Sequence, residues 1–274
     1  MRKVVFFDID GTLMNSDNQL PKSTKYAMTL LKEKGHIPVI ATGRPPQMLE
    51  AVAKELKIEN YISMNGQHIV MKGEPIFSNP LPTDDLERLI DLSYELGDRT
   101  FLMTADQVIG NNFMKEMMDP EFMSYVYKHF SILPTEVGLK LFKHMTEKPI
   151  LKERYENKDI LMAFVHTPET KDHLYHTYAP NLHFTRATPL FGEAIKKGSH
   201  KAAGMQRVLD HLGASVEDTV AFGDSLNDIE MLNFAQIGVA MGNGRQELKN
   251  VSDHVTMHVD ENGILEGLTH LNLI

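Results

Sequence analysis

The chain has 274 residues, enough for one large domain or two medium ones at roughly 150 residues per domain. Its 28 Lys+Arg against 37 Asp+Glu give a net charge of −9, which excludes a basic nucleic-acid-binding domain, since phosphate contacts need clustered Lys and Arg. A hydrophobic content of 42% with 24% charged residues excludes disorder, and zero cysteines exclude disulfides, Cys-ligated zinc, iron–sulfur clusters and thiol catalysis.

Val4-Val5-Phe6-Phe7 is an apolar run that stops at Asp8. It is too short for a signal peptide, and no window approaches ~20 uninterrupted apolar residues. A cytoplasmic protein that neither enters a membrane nor binds nucleic acid is the expectation. Apolar on both sides, the run predicts a buried strand of a parallel sheet. Residues 21–34 predict a helix with Gly35 at its C-terminal end, and residues 37–41 a second buried strand. A helix over about 46–56 follows, then a strand at 61–64 and the turn signal Asn65-Gly66. The tail repeats this alternation: helix 201–212, strand 219–222, helix 228–234, strand 237–240 and a short helix at 246–250.

The middle has a different pattern. Pro80, Pro82, Thr83 and Asp84 read as a linker and helix start, with a helix over 84–96 and strand-like stretches at 99–109, 160–166 and 182–186. The organisation that follows is α/β: a doubly wound parallel-sheet core formed by residues 1–82 and 188–274, interrupted by an inserted α+β domain at 83–187.

Four segments carry chemistry. Asp8-Ile9-Asp10-Gly11-Thr12 sets two carboxylates at the C-terminal end of a buried strand, where open α/β sheets bind ligands. In a continuing strand both would point to one face. One carboxylate can attack as a nucleophile while the other moves protons, and a hard divalent ion would suppress their repulsion. Gly223-Asp224-Ser225-Leu226-Asn227-Asp228 repeats the arrangement after the strand at 219–222. Asp224 suits a metal ligand, and Asp228 also suits a helix N-cap. Thr42-Gly43-Arg44 offers a hydroxyl and amides to phosphate oxygens at a helix start. A lysine among Lys196, Lys197 and Lys201 can neutralise phosphate and aspartate charge.

In order and position these segments resemble the four motifs of the haloacid dehalogenase-like hydrolase superfamily, and most closely its Cof-type branch, whose large α/β cap lies between the second and third motifs. Asn65-Gly66 and Val239-Ala240-Met241-Gly242-Asn243 are similar to further features of that branch. The resemblance implies a phosphomonoesterase for small phosphate esters, sugar phosphates first and flavin mononucleotide or pyridoxal phosphate next. Asp8 would be the nucleophile that forms an aspartyl-phosphate, and Asp10 the general acid and base. Thr42, Gly43, Arg44, Lys201 and Asn227 would bind the phosphate or substrate. Mg²⁺ would be held by Asp8, the Asp10 carbonyl and Asp224, with Asp228 in support. The branch has Gly after its motif-three Lys, where Ala202 stands here, which keeps Lys196 and Lys197 in contention with Lys201.

A phosphomutase or phosphotransferase could use the same aspartyl-phosphate. A receiver-type signalling domain would need neither Asp10 nor so long a chain. His166, His173, His176 and His183 read as surface residues of the insert, and His200 as a neighbour of the phosphate site. The stretch Phe113–Met123, rich in Met, reads as helix core or the underside of the insert. Neither G-x-G-x-x-G nor a Walker loop is present. A monomer or homodimer is expected.

Overall fold

The computed structural model describes residues 2–110, 150, 152–188 and 191–274; the stretch Phe113–Met123 lies outside them. In chain order the described strands are β1 (Val4–Phe7), β2 (Ile37–Ala41), β3 (Tyr61–Ser63), β4 (His68–Met71), β5 (Glu74–Ser78), β6 (Arg99–Met103), β7 (Val108–Ile109), β8 (Met162–His166), β9 (Leu182–Thr188), β10 (Phe191–Lys196), β11 (Thr219–Gly223), β12 (Ile237–Ala240) and β13 (His254–Val255). The chain divides into two compact units, Met1–Ser78 with Ser199–Ile274, and Asn79–Gly198.

The first unit is built on an eight-stranded sheet ordered β13-β12-β11-β1-β2-β3-β4-β5. The pairs from β13 to β3 are parallel, and β4 and β5 add an antiparallel edge. The sequence of β1 explains its place near the middle. Val5 and Phe7 enter a cluster with Ala27, Met28 and Leu31 of the helix Lys22–Glu33 and with Ile264 and Leu268 of the helix Gly263–His270. Val4 and Phe6 enter a second cluster with Met205, Val208 and Leu209 of the helix Lys201–Leu212. Both faces are covered, so a buried central strand carries no polar alternation. Full burial of each such side chain contributes about 1.5–3 kcal/mol. The flanking helices have ordinary boundaries: Pro46 opens Pro46–Leu56, and Gly213, with φ 61°, closes Lys201–Leu212.

The second unit carries a five-stranded sheet, β7-β6-β8-β10-β9, antiparallel throughout. The helices Thr83–Glu95 and Asp172–Tyr178 share an apolar cluster with it through Leu86, Leu89, Ile90 and Tyr175 against Ala163, Val165 and Phe184. The Asp98 side chain, only 6% exposed, accepts hydrogen bonds from Thr167, Lys171 and the Tyr175 hydroxyl, each between 2.7 and 2.8 Å.

The unit boundaries differ from those expected. Residues 188–198 were assigned to the core, but β10 pairs with both β8 and β9 and belongs to the second unit. Its sequence, Phe-Gly-Glu-Ala-Ile-Lys, lacks the continuous apolar run that marks the core strands. At the other junction the second unit begins at Asn79 rather than at 83, because Leu81 donates its N–H to the Ile160 carbonyl and Lys196 donates to Asn79 Oδ1. The hairpin β4–β5, the short β13 and the helix Gly263–His270 were not anticipated. Among the described residues no helix is long and apolar enough to cross a membrane.

Candidate active site

Parallel pairing sets the C-terminal ends of β11, β1 and β2 side by side, with Phe7 in register with Phe222 and Ile40. From β1 the chain proceeds to β2 on one side, while β11 leads to β12 on the other. The ends of β1 and β11 therefore flank a topological switch point, the usual ligand crevice of such sheets. Asp8 follows β1, Asp224 follows β11 and Thr42 follows β2.

Lys201 unites the cluster. It is the first residue of its helix, capped by His200 Nδ1, which accepts the Ala203 N–H. His200 is thus a helix cap. The Lys201 side chain has no solvent exposure, and its Nζ donates to Asp8 Oδ1 at 2.5 Å and to Asp228 Oδ1 at 2.6 Å. Of the three candidate lysines, Lys201 is the one brought to Asp8; Lys196 bonds Asn79, and Lys197 is exposed. Asp228 is fully buried, and its Oδ2 accepts the N–H groups of Asp224 and Ser225, both at 3.0 Å, closing a capping box.

Asp8 and Asp10 do not share a face. The strand ends at Phe7, and residues 9–14 form a tight turn in which Leu13 and Met14 donate to the Ile9 carbonyl. Asp8 is buried, whereas the Asp10 side chain is 60% exposed. Arg44 grips Asp10 with a two-pronged fork, Nε to Oδ2 at 2.9 Å and Nη2 to Oδ1 at 2.5 Å. Thr42 is buried, and its hydroxyl oxygen accepts the Arg44 N–H at 3.1 Å, which leaves the hydroxyl proton to donate elsewhere. Gly43 lies against the side chain of Asn65, where a Cβ would stand 3.2 Å from its amide nitrogen. Asn227 is not gathered into the cluster: it is exposed, and its Oδ1 accepts the Ser225 hydroxyl at 2.8 Å.

Three further residues, named in the sequence motifs without a place in the site, belong to it. Asn65 sits in a left-handed run, with Met64, Asn65 and Gly66 at φ 51°, 52° and 94°. Such strain over consecutive residues clusters at functional sites. Thr12 is fully buried, and its hydroxyl has no hydrogen-bond partner among the described residues. Asn243 donates to the Gly11 carbonyl at 2.7 Å and accepts the Val259 N–H at 2.9 Å, pinning the Asp8–Thr12 turn from across the sequence. The Asn65-Gly66 turn signal and the Met241-Gly242-Asn243 segment were the available clues.

The electrostatics call for a cation. Burial pushes the Asp8 carboxyl well above its usual range; Lys201 opposes this, but Asp228, Asp10 and Asp224 raise it further. Burial, then Asp228, pushes Asp224 up to about 7. Burial would lower Lys201, yet Asp228 and Asp8 outweigh it and keep the ammonium charged. Were all four carboxylates ionised, Lys201 and Arg44 would leave two negative charges uncompensated, which is why Asp8 and Asp224 hold their protons so strongly without a metal. Ligand atoms of Asp8, Asp224 and Asp228 lie within 4.8 Å of one another, and buried Asp224 Oδ1 has no hydrogen-bond partner. An all-oxygen set of this kind fits a hard divalent cation. With both Asp228 oxygens engaged, Asp8 and Asp224 are the side chains left to hold it.

Gly11 makes the Asp224 position possible. Its φ is +76°, and a Cβ there would collide with the Asp224 carboxylate. Gly11→Ala combines left-handed strain of about 1–2 kcal/mol with displacement of Asp224. The expected result is a lower unfolding midpoint and at least ~10-fold weaker binding of a hard divalent cation by calorimetry; unchanged affinity would refute the role given to this contact.

The family model for haloacid dehalogenase-like hydrolases matches residues 5–268. YkrA of Bacillus subtilis (strain 168) is 33% identical over 273 residues, 99% of this chain and 98% of its own. The 5-amino-6-(5-phospho-D-ribitylamino)uracil phosphatase YitU of the same organism is 27% identical, over 95% and 94% of the two chains. Among solved structures, BT4131, described as a subclass IIB sugar phosphatase of the superfamily, aligns with a TM-score of 0.79 at 28% identity, over 99% of this chain and 100% of its own. The match spans nearly the whole chain and includes the strand ends that carry Asp8, Thr42 and Asp224; the chain belongs to the haloacid dehalogenase-like hydrolases and is an enzyme of their phosphatase branch.

Proposed function

We propose that the protein is a Mg²⁺-dependent phosphomonoesterase for small phosphorylated metabolites, working through a phosphoryl group on Asp8. The observation that carries the reading is the buried bridge Asp8–Lys201–Asp228 beside Asp224. It supports reading Asp8 as the nucleophile, Lys201 as a fixed cation and Asp224 as a cation-binding carboxylate, gathered where β1 and β11 end.

When bound, Mg²⁺ neutralises negative charge on the phosphoryl oxygens and on the carboxylates around them. Asp8 Oδ attacks phosphorus, and the bond from phosphorus to the ester oxygen breaks. Protonated Asp10 delivers its proton to the departing alcohol. The resulting Asp10 carboxylate then takes a proton from a water that attacks the aspartyl-phosphate, which frees phosphate and restores Asp8. Lys201 Nζ and the Thr42 hydroxyl donate to phosphoryl oxygens, so the developing charge meets donors already in place. Arg44 must release Asp10 for this chemistry. An incoming phosphate ester offers the guanidinium a competing anion, so substrate binding itself frees the general acid. Sugar phosphates and phosphorylated ribityl compounds head the substrate panel, since relatives bear those activities in their names.

The test is phosphate release from sugar phosphates, nucleotides and phosphorylated cofactors, with Mg²⁺ and with EDTA. Release that requires Mg²⁺ supports the reading. An isomeric phosphate ester in place of free phosphate would replace it with a phosphomutase.

Asp224 gives the site a pH signature. Its carboxyl, near 3.8 in an unfolded chain, stands at about 7 in the fold. Between those values the folded state holds more protons than the unfolded one, so the metal-free protein loses stability as pH rises from about 4 to about 7. Mg²⁺ must displace that proton, so its affinity is expected to fall up to ~10-fold per pH unit below about 7. Titration calorimetry at about pH 6 and about pH 8 checks this; equal affinities would contradict it.

A further inference from the structure

We infer that the first unit carries a second metal site, selective for a borderline divalent cation such as Zn²⁺, formed by His254, Glu266 and His270. It shares no residue with the cluster around Asp8. Glu266 and His270 are four residues apart on the helix Gly263–His270, so both project from one helical face. His254 stands on β13, the edge strand of the sheet. One ligand atom from each of the three lies within 4.8 Å of the others.

Two further observations set this apart from a chance meeting of polar side chains. His254 Nε2 is buried without a hydrogen-bond partner, and its nearest carboxylate oxygen, Glu266 Oε2, stands 3.6 Å away, beyond hydrogen-bond reach. Thr256 Oγ1 lies 2.5 Å from that same Oε2 and 2.6 Å from the Gly263 carbonyl, fixing the carboxylate as outer partners fix metal ligands.

The donor set decides the metal. Two imidazole nitrogens and one carboxylate oxygen suit Zn²⁺, Co²⁺ or Ni²⁺, and Mg²⁺ prefers oxygen alone. Tetrahedral bonds of about 2.0–2.1 Å put ligand atoms ~3.4 Å apart. The cluster must therefore close by up to ~1.4 Å, and exposed His270 must swing out of its parallel stack on His254, because an imidazole lone pair lies in its ring plane; partly exposed Glu266 follows by side-chain rotation. Water completes the coordination from the solvent side. The bound ion clamps the edge strand to the C-terminal helix, and so acts on stability rather than on chemistry.

The experiment uses the full-length protein with Asp8→Asn and Asp224→Asn, which removes the competing carboxylate ligands. Co²⁺ serves as the visible probe and Zn²⁺ as the stabilising one. The expected result is one Co²⁺ per chain with the absorption of tetrahedral nitrogen and oxygen ligation. Zn²⁺ at about 100 times its Kd should raise the unfolding midpoint by roughly 5 °C. His270→Ala, at an exposed position, should lose both signals, and Glu266→Gln should weaken them ~10-fold or more. In the native background His270→Ala should leave Mg²⁺-dependent phosphate release unchanged. Absence of Co²⁺ binding in the double variant, or signals that survive His270→Ala, would overturn the site.

Discussion

Asp8→Asn is expected to lower phosphate release by at least ~10³-fold, and at the same time to raise the unfolding midpoint of the metal-free protein. The two effects have one cause. Asp8 is buried among Asp228, Asp10 and Asp224, and its carboxyl is pushed well above its usual range. At neutral pH its ionisation costs folding free energy. Asparagine keeps the shape and an oxygen for Lys201 Nζ, and Lys201 retains Asp228. What is lost is the charge that attacks phosphorus in the proposed mechanism. Unfolding in EDTA and turnover in Mg²⁺ therefore move in opposite directions, whereas a purely structural carboxylate would give them the same sign. Asp10→Asn keeps the nucleophile but can neither protonate the departing alcohol nor take a proton from water, so both steps slow and turnover should fall ~10²–10⁴-fold. Undiminished turnover in Asp8→Asn would end the nucleophile assignment.

The strand ends were legible because their physics is local. An all-apolar run closed by Asp, as in Val4–Phe7 before Asp8 or Val220–Phe222 before Gly223-Asp224, can only be a two-sided buried strand with its polar cargo at the tip. The helix over 46–56 was legible from its flanking prolines, and the helix over 201–212 from its closing glycine. What stayed hidden depends on adjacency. The Arg44 fork on Asp10 exists because β2 lies beside β1, and the two residues are 34 apart in sequence. The Asn243 bond to the Gly11 carbonyl spans 232 residues. Strand β10 carries a glycine and a buried glutamate, so only its pairing with β8 and β9 reveals it. Asn227 reads as a partner of the site from its place at a helix start, but the local chemistry of its turn, the Ser225 hydroxyl, engages its Oδ1 and leaves it exposed.

Lys201→Met should be the most destabilising single change in the site. Methionine matches the length of the lysine stem but leaves Asp8 and Asp228, with side chains 7% and 0% exposed, facing each other without a cation. Breaking a buried ion pair by removing one partner costs about 3–5 kcal/mol, a large part of the ~5–15 kcal/mol that holds a typical domain folded. The sign of the pH dependence follows. Without the ammonium the folded-state pKa of Asp8 rises further, so the variant regains stability as pH falls toward about 5 and loses it as pH rises through neutrality. Mg²⁺ should recover part of the loss by supplying charge from the Asp224 side. Asp8→Asn added to Lys201→Met removes one of the stranded carboxylates, so the double variant should be more stable than Lys201→Met alone, with a coupling within the ~0.5–3 kcal/mol seen for contacting residues. Denaturant unfolding of the four proteins in EDTA closes this cycle. Additive effects would mean that Lys201 and Asp8 do not interact in solution, and the bridge would then lose its place as the organising feature of the site.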